Sequence, residues 1–451
     1  MSKIIKLKRG LDIPLKGMAE RVLVEAEPSG SYALKPPDIK GLVPKLVVKS
    51  GQTVKAGSPL FYDKTFPDIV FTSPVSGTVL GVNRGERRRI LEVTVSPDAA
   101  MEYESFGKAD PLSLSRDEVI SRLLKSGTWP LIRQRPYALT AQPIVRPKAI
   151  FISAFDTAPL APDLDFIMDG EEHNFQTGLN ALKMLTDGQL HLSLHATKTK
   201  HPVFTGVTGV EKHLFTGPHP AGNVGIQIHH IDPINKGDKV WYINAQDVLI
   251  IGRLFNEGRY DCSRIVALTG SEVKMPRYYK TRLGASVHEM VRDNVMPGQQ
   301  RYISGNVLTG TTISSNGYIG YYDSQVTVIP EGKHHEFLGW ARPGLGKFSH
   351  SRSFFSWLFP SQTYRLDTNL QGGERAFVLT GQYERVLPMD IYPVHLLKAI
   401  LDEDVDRMEQ LGIYEVIEED LALCEFVCTS KIDVQAIVRR GIVLMIKELG
   451  L

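Results

Sequence analysis

Between residues 41 and 95, apolar and polar positions alternate in short runs, each cut by a turn residue. Two half-patterns carry this arrangement, LVPKLVVKSGQTVKAGSPLFYDK and DIVFTSPVSGTVLGV. Gly51, Gly57 and Gly77 mark the turns, with Pro59 and Pro74 beside two of them. Alternation with period two predicts half-buried strands, and glycine supplies the positive φ that tight turns need. From residue 111 the pattern changes. Helical spacing runs over 116–126 and stops at Gly127, and again over 171–185. Strand-like apolar runs occupy 148–155, 190–195, 224–229 and 248–254. Strands alternating with helices predict an α/β layer fold.

Residues 258–330 hold two strands, a short helix at 286–292 and two further strands, a β-grasp arrangement. An aromatic-rich connection follows. From residue 385 the chain reads as helical: Pro393 opens a helix that Gly412 ends, and a final amphipathic helix covers 434–448. The fold class expected is therefore α+β and multidomain. Its units are 1–100 (barrel of short strands), 101–257 (α/β), 258–332 (β-grasp), 333–384 (connection) and 385–451 (helical).

Composition narrows the function. A chain of 451 residues fits about three domains and buries its cores without cross-links. The 52 basic and 50 acidic residues leave a net charge of +2, which argues against nucleic-acid binding through bulk charge. Three cysteines exclude a disulfide scaffold and suit a reducing compartment. No run reaches the 18 or so apolar residues of a membrane span. The basic start MSKIIKLKRGLDIPLKG loses its apolar run too soon for a signal peptide. A soluble cytoplasmic protein is the expectation.

Candidate chemistry is sparse. The run at 84–89 is the densest basic stretch, and Arg87, Arg88 and Arg89 are its candidate partner contacts. The loop GPHPAGNVG at 217–225, with His219, is rich in glycine and proline but matches neither phosphate-cradling motif. Among thirteen histidines, His191 and His195 lie on a strand pattern without H-E-x-x-H, and His229–His230 and His334–His335 are adjacent pairs. All are read as core or surface histidines, and no metal site is expected. The stretch at 353–360 packs four aromatics into six positions, including Phe355 and Trp357. Burial in its own fold is the expectation there; exposed, it would be a docking or ligand site. Cys262 reads as an ordinary thiol. Cys424 and Cys428 stand four apart without the further ligands of a cluster or zinc site.

The spacing of turns at 41–95 resembles the barrel-sandwich domain of biotinyl and lipoyl carriers, whose cofactor sits on a hairpin lysine. Lys64 is the equivalent candidate, but Phe66-Pro67 intrudes at the tip, so an unmodified lysine is expected. The 258–330 unit resembles the soluble-ligand-binding (SLBB) β-grasp domain of complex I. In this order the units resemble the NqrA family of the sodium-translocating NADH:quinone reductases, with RnfC and the NADH-oxidising subunit of complex I as more distant relatives. The stretches that carry it are KLKRGLDIPLKG, GPHPAG at 217–222, ISGNVLTG at 303–310 and residues 420–431.

That resemblance implies one component of an oxidoreductase that couples NADH oxidation by quinone to sodium export. It implies partners in the six-subunit Nqr complex, NqrB to NqrF, with the membrane component NqrB the most direct. It also implies a peripheral place on the cytoplasmic side of the bacterial inner membrane. NADH, flavins, an iron–sulfur cluster and quinone would be handled on other subunits. Two departures from RnfC support a chain with no cofactor of its own. Residues 133–147 contain no glycine where a flavin loop would lie, and Glu418 and Leu421 stand where two cluster ligands would. The alternatives are an RnfC-like chain carrying flavin and iron–sulfur clusters, a lipoyl or biotinyl carrier, and a pure scaffold.

Overall fold

The computed structural model describes residues 4–333, 339 and 342–450, so the His334–His335 pair lies outside the described residues. Strands β1 (Ile4–Lys6) and β2 (Glu20–Glu25) precede the barrel-sandwich. The barrel-sandwich comprises β3 (Tyr32–Leu34), β4 (Pro44–Leu46), β5 (Thr53–Val54), β6 (Pro59–Asp63), β7 (Val70–Thr72), β8 (Gly77–Arg84) and β9 (Ile90–Pro97). These strands form two sheets, ordered β3-β9-β8-β5 and β4-β6-β7. Gly77 shows why a turn glycine is needed. Its φ is +157°, and a Cβ there would lie 1.8 Å from the Ser96 carbonyl across the ladder.

The α/β unit opens with α1 (Arg116–Ser126). Ser115 and Glu118 close its start as a reciprocal capping box, and Gly127 ends it at φ 74°. There follow β10 (Arg133–Arg135), β11 (Leu139–Thr140), β12 (Ala149–Ser153), α2 (Leu164–Ile167), α3 (Glu172–Lys183), β13 (Gln189–His195), α4 (Pro202–Thr205), β14 (Glu211–Thr216), α5 (Val224–Ile231), β15 (Val240–Asn244) and α6 (Ala245–Glu257). The sheet runs β1-β14-β13-β12-β15-β10-β11. Its first five strands are parallel, and β10 and β11 are antiparallel.

Two expected strands are helices. Residues 224–229 form α5, and 248–254 lie inside α6. Both are short, mostly apolar runs, in which periodicity does not separate a buried strand from a buried helix. α6 is apolar all round because every side is covered: Val248, Leu249, Ile250 and Ile251 are each at most 3% exposed. Its approach to α3 is close enough to require glycine on both helices. A Cβ on Gly178 would meet the Val248 carbonyl at 2.3 Å, and one on Gly252 the Asn174 carbonyl at 1.8 Å.

The β-grasp unit holds β16 (Ser263–Thr269), β17 (Arg277–Arg282), α7 (His288–Val291), β18 (Gln300–Ser304), β19 (Thr311–Ile313) and β20 (Gln325–Pro330). Its sheet, β19-β18-β20-β16-β17-β2, ends on a strand from the chain's start. The first 25 residues thus leave the barrel-sandwich and stitch the other two sheets, β1 beside β14 and β2 beside β17. The C-terminal helices are α8 (Tyr383–Val386), α9 (Pro393–Leu401), α10 (Val405–Gln410), α11 (Ala422–Val427) and α12 (Val434–Glu448). The single helix expected from Pro393 to Gly412 is broken, because Glu403 takes φ 56° and the Asp404 side chain caps α10 by accepting from the Arg407 amide.

Two hydrophobic clusters hold the molecule. One joins the barrel-sandwich, the β-grasp sheet and the face of the α/β sheet carrying Ile150 and Leu192. The other joins the opposite face, with Phe151 and Tyr242, to the C-terminal helices. Among the described residues, no helix is long and apolar enough to cross a membrane.

Candidate functional site

The chain lays down β12, β13 and β14 in one direction, then returns to place β15 on the other side of β12. In an open parallel sheet such a reversal leaves a crevice at the carboxyl ends of the two strands. Here the crevice is bounded by Ser153 and Asp156 after β12 and by Asn244 at the end of β15. The β-grasp unit adds Tyr322, and the C-terminal helices add Glu419. A continuation of about 580 Å³ runs toward Asn306 and Arg439.

Arg133 dominates this cleft. Antiparallel pairing of β10 with β15 sets Arg133 opposite Tyr242. Its guanidinium lies 4.4 Å from the centre of the Tyr242 ring and 4.5 Å from that of Tyr322. It also donates to Asn244 Oδ1 at 2.7 Å. Cation–π contact with two rings fixes the charge without neutralising it. The Tyr242 hydroxyl and Arg133 Nε are buried without a hydrogen-bond partner among the described residues. Burial raises the Asp156 carboxyl above the usual carboxylate range. Burial, and then the adjacent Asp420, push Glu419 up to about 7. The cleft thus offers hydrogen-bond donors and a carboxyl poised near neutrality. No histidine or cysteine is among its described lining residues, so it contains no imidazole-activated nucleophile.

Behind it lies a sealed ion pair. Arg135 and Asp420 are both 0% exposed, with Nη1–Oδ2 at 2.6 Å and Nη2–Oδ1 at 3.3 Å. Arg135 also donates to the Glu415 carbonyl at 3.1 Å, and Asp420 accepts from the Ile417 amide at 2.9 Å. The pair packs against the first turn of α5. A Cβ on Gly225 would fall 2.3 Å from Asp420 Oδ1. Helix amino-termini are where such folds receive a phosphate. Here the Asp420 carboxylate sits beside that first turn, an anion of the chain's own next to the place where such folds can receive a phosphate.

The C-terminal cysteines do not fit a cluster either. Cys424 and Cys428 are buried, and the Tyr383 hydroxyl donates to Cys428 Sγ at 3.0 Å. Burial pushes the Cys424 thiol well up. At the two positions where further ligands would stand, Glu418 pairs with Arg439 and Leu421 is fully buried. Four thiolates are required, and two are present.

The remaining candidates are scattered. Arg87, Arg88 and Arg89 are exposed at the β8–β9 hairpin, where a 3-10 turn spans Glu86–Arg88. Lys64 is exposed at the β6–β7 turn. His219 is buried: Thr157 Oγ1 lies 3.1 Å from its Nδ1, and its backbone amide donates to Asp12 Oδ1 at 2.8 Å. Desolvation lowers its pKa to about 4, so it is a neutral strut for the amino-terminal segment. The aromatic stretch reverses the expectation of burial. Phe355 is 57% exposed, Trp357 49%, Leu358 55% and Phe359 52%. A 3-10 turn, Phe355–Leu358, orders them, tied back by the Phe355 amide donating to the Pro343 carbonyl and by Ser356 Oγ donating to the Lys347 carbonyl at 2.5 Å. No hydrogen bond, ion pair or ring contact among the described residues joins this stretch to the basic hairpin.

The cleft residues were not recognisable as a set from the sequence. Arg133 falls in the glycine-free segment, but Tyr242, Tyr322 and Glu419 reach it only through strand pairing and domain packing.

Comparison with known proteins places the chain. Residues 5–98 match the NqrA N-terminal barrel-sandwich hybrid domain, residues 114–260 the NqrA second alpha/beta domain, and residues 265–315 the NQRA C-terminal domain. The A subunit of the Na(+)-translocating NADH-quinone reductase of Yersinia pestis bv. Antiqua (strain Angola) is 41% identical over 439 residues, 97% of this chain and 98% of that relative. The chain belongs to the NqrA family of the Na(+)-translocating NADH-quinone reductases. The NqrA protein of Rhodopirellula baltica is 39% identical over 451 residues, 99% of this chain and 98% of its own. The expected fold class holds for this NqrA family member: barrel-sandwich, α/β domain, SLBB-type domain and C-terminal helices. Among solved structures, an NAD+-reducing NiFe-hydrogenase in the air-oxidized state aligns with a TM-score of 0.38 and 12% identity, over 75% of this chain and 62% of that one.

Proposed function

We propose that this chain is the NqrA component of a sodium-translocating NADH–quinone reductase and works there as a peripheral, cofactor-free docking subunit. Its place is the cytoplasmic side of the membrane, against the membrane component NqrB. The observation that carries this reading is 41% identity along 97% of the chain to a relative of that name. The exposed rings of Phe355, Trp357 and Phe359 supply the contact chemistry. Large rings bury much area at small entropic cost, and together with Leu358 they form an apolar patch of the kind that marks interaction sites. Arg87, Arg88 and Arg89 would orient the approach by charge. The quinone, in this reading, is met at the aromatic stretch within the assembled complex.

The supporting case for a cofactor-free chain is the Asp420 carboxylate beside the first turn of α5 and the two-cysteine remnant. The purified chain should be colourless and carry no added mass on Lys64. Visible flavin or iron–sulfur absorption stoichiometric with protein would establish an RnfC-like chain instead. A lipoyl or biotinyl increment in the intact mass would establish a carrier. Photolabelling of the assembled complex with a reactive quinone, followed by peptide mapping, should mark 342–370 in this chain; labelling only in other subunits would leave it a scaffold.

A further inference from the structure

His191 and His195 read as isolated strand histidines in the sequence. Strand pairing gives His191 new neighbours. In the parallel ladder β13–β14, His191 stands in register with Glu211. His213 follows two residues later, which returns it to the same face of the sheet. His191 Nδ1 lies 3.0 Å from His213 Nε2 and 3.7 Å from Glu211 Oε2, and His213 Nε2 lies 3.8 Å from Glu211 Oε1. One donor atom from each residue falls within 4.8 Å of the other two.

We propose that His191, Glu211 and His213 form a zinc-binding site, with water as fourth ligand. A tetrahedral zinc with bonds of about 2.0–2.1 Å holds its ligand atoms about 3.3 Å apart; the two ring nitrogens are 3.0 Å apart, and the half-exposed Glu211, whose two oxygens each face one ring, turns to present one of them. Two imidazoles and one carboxylate are the donor set of an open zinc site. The Phe151 ring stacks on His191 at 4.6 Å and holds it in position. His191 and His213 have side chains 7% and 15% exposed, while Glu211 is 54% exposed, so the ion has an entry path and a wet side. Burial already favours neutral imidazoles, the form that coordinates. In the ion-free pair one imidazole donates a proton to the other. On binding, that proton moves to the far nitrogen of its own ring, and both facing lone pairs turn to the metal. The site lies near the amino-terminal ends of β13 and β14. It is separate from the cleft at the carboxyl ends of β12 and β15, and it pins two parallel strands together.

The test is zinc titration of the chelator-stripped full chain against a chromophoric competitor, with cobalt absorption as a second readout. One equivalent should bind, and cobalt should give the visible bands of a tetrahedral site. His191→Ala and His213→Ala should each weaken binding at least about 100-fold, and Glu211→Gln at least about tenfold. His195→Ala, on the same strand but outside the cluster, should bind like the parent. Glu211 is exposed, so Glu211→Gln keeps the fold, and zinc should raise the melting point of the parent well beyond that of this variant. Failure to bind one equivalent overturns the proposal. So does weak binding of several ions that persists unchanged in the three ligand variants.

Discussion

The cleft between domains and the aromatic stretch at 353–360 handle unfavourable groups in opposite ways. The cleft region takes charges out of water and pairs them: Arg135 with Asp420 at 0% exposure, and Arg133 between two tyrosine rings. The aromatic stretch leaves apolar rings in water, with Phe355, Trp357 and Phe359 near half exposure. At roughly 25 cal/mol per Å² of apolar surface, each such ring forgoes a kcal/mol or more that burial would supply. Inside, Arg135 and Asp420 come from distant parts of the chain, so that pair fixes how the α/β unit and the C-terminal helices meet. Outside, the rings of Phe355, Trp357 and Phe359 stay about half uncovered among the described residues, the surface proposed above for a partner. The interior pairs its charges within the chain, whereas this rim leaves apolar rings half in water.

The comparison breaks first at Asp420. Asp420→Ala leaves the Arg135 guanidinium buried with only the Glu415 carbonyl and, at 4.0 Å, Glu419 as partners, and should cost about 3 kcal/mol. A urea denaturation midpoint reads it, and digestion should begin in the C-terminal helices. The double change Arg135→Met with Asp420→Leu removes both charges and should recover most of that loss. If the single change is silent, the sealed pair does not hold the domains.

A smaller effect concerns pH. For an acid whose folded pKa is raised, the folded state keeps its proton longer than the unfolded chain. Between the ordinary carboxylate value and about 7, Glu419 therefore makes stability fall as pH rises, levelling off above that window. Solvent reaches Glu419, whose side chain is 39% exposed, so the effect should stay below about 1 kcal/mol. Glu419→Gln should flatten that part of the stability profile against pH, and equal profiles in parent and variant would contradict the assigned environment. The smallest effect belongs to the basic hairpin. Changing Arg87, Arg88 and Arg89 to Ser should leave melting unchanged and slow assembly by less than about tenfold at low salt, with no difference at high salt. Normal assembly at low salt removes the steering role.

Much of the fold is legible from local rules. The Ser115–Glu118 box and Gly127 bound α1, turn glycines mark the barrel-sandwich, and α12 has clear amphipathic spacing. What local rules miss is set by neighbours distant in sequence. α6 looks like a strand because its surroundings make it apolar on every side. The cleft is less legible still, because Arg133, Tyr242, Tyr322 and Glu419 share no spacing. His213 becomes interesting only once β14 lies beside β13. The aromatic stretch misleads for a different reason: composition signals burial, but does not say in which molecule.

The exposed rings of Phe355, Trp357 and Phe359 are the docking surface proposed above. The direct measurement is co-purification of Trp357→Ala with Phe359→Ala in the complete complex, alongside the melting point of the isolated variant chain. The expected outcome is an unchanged melting point and loss of this chain from the complex, about 2 kcal/mol or more of interface free energy. A lowered melting point with normal assembly, or no change in either, would contradict it.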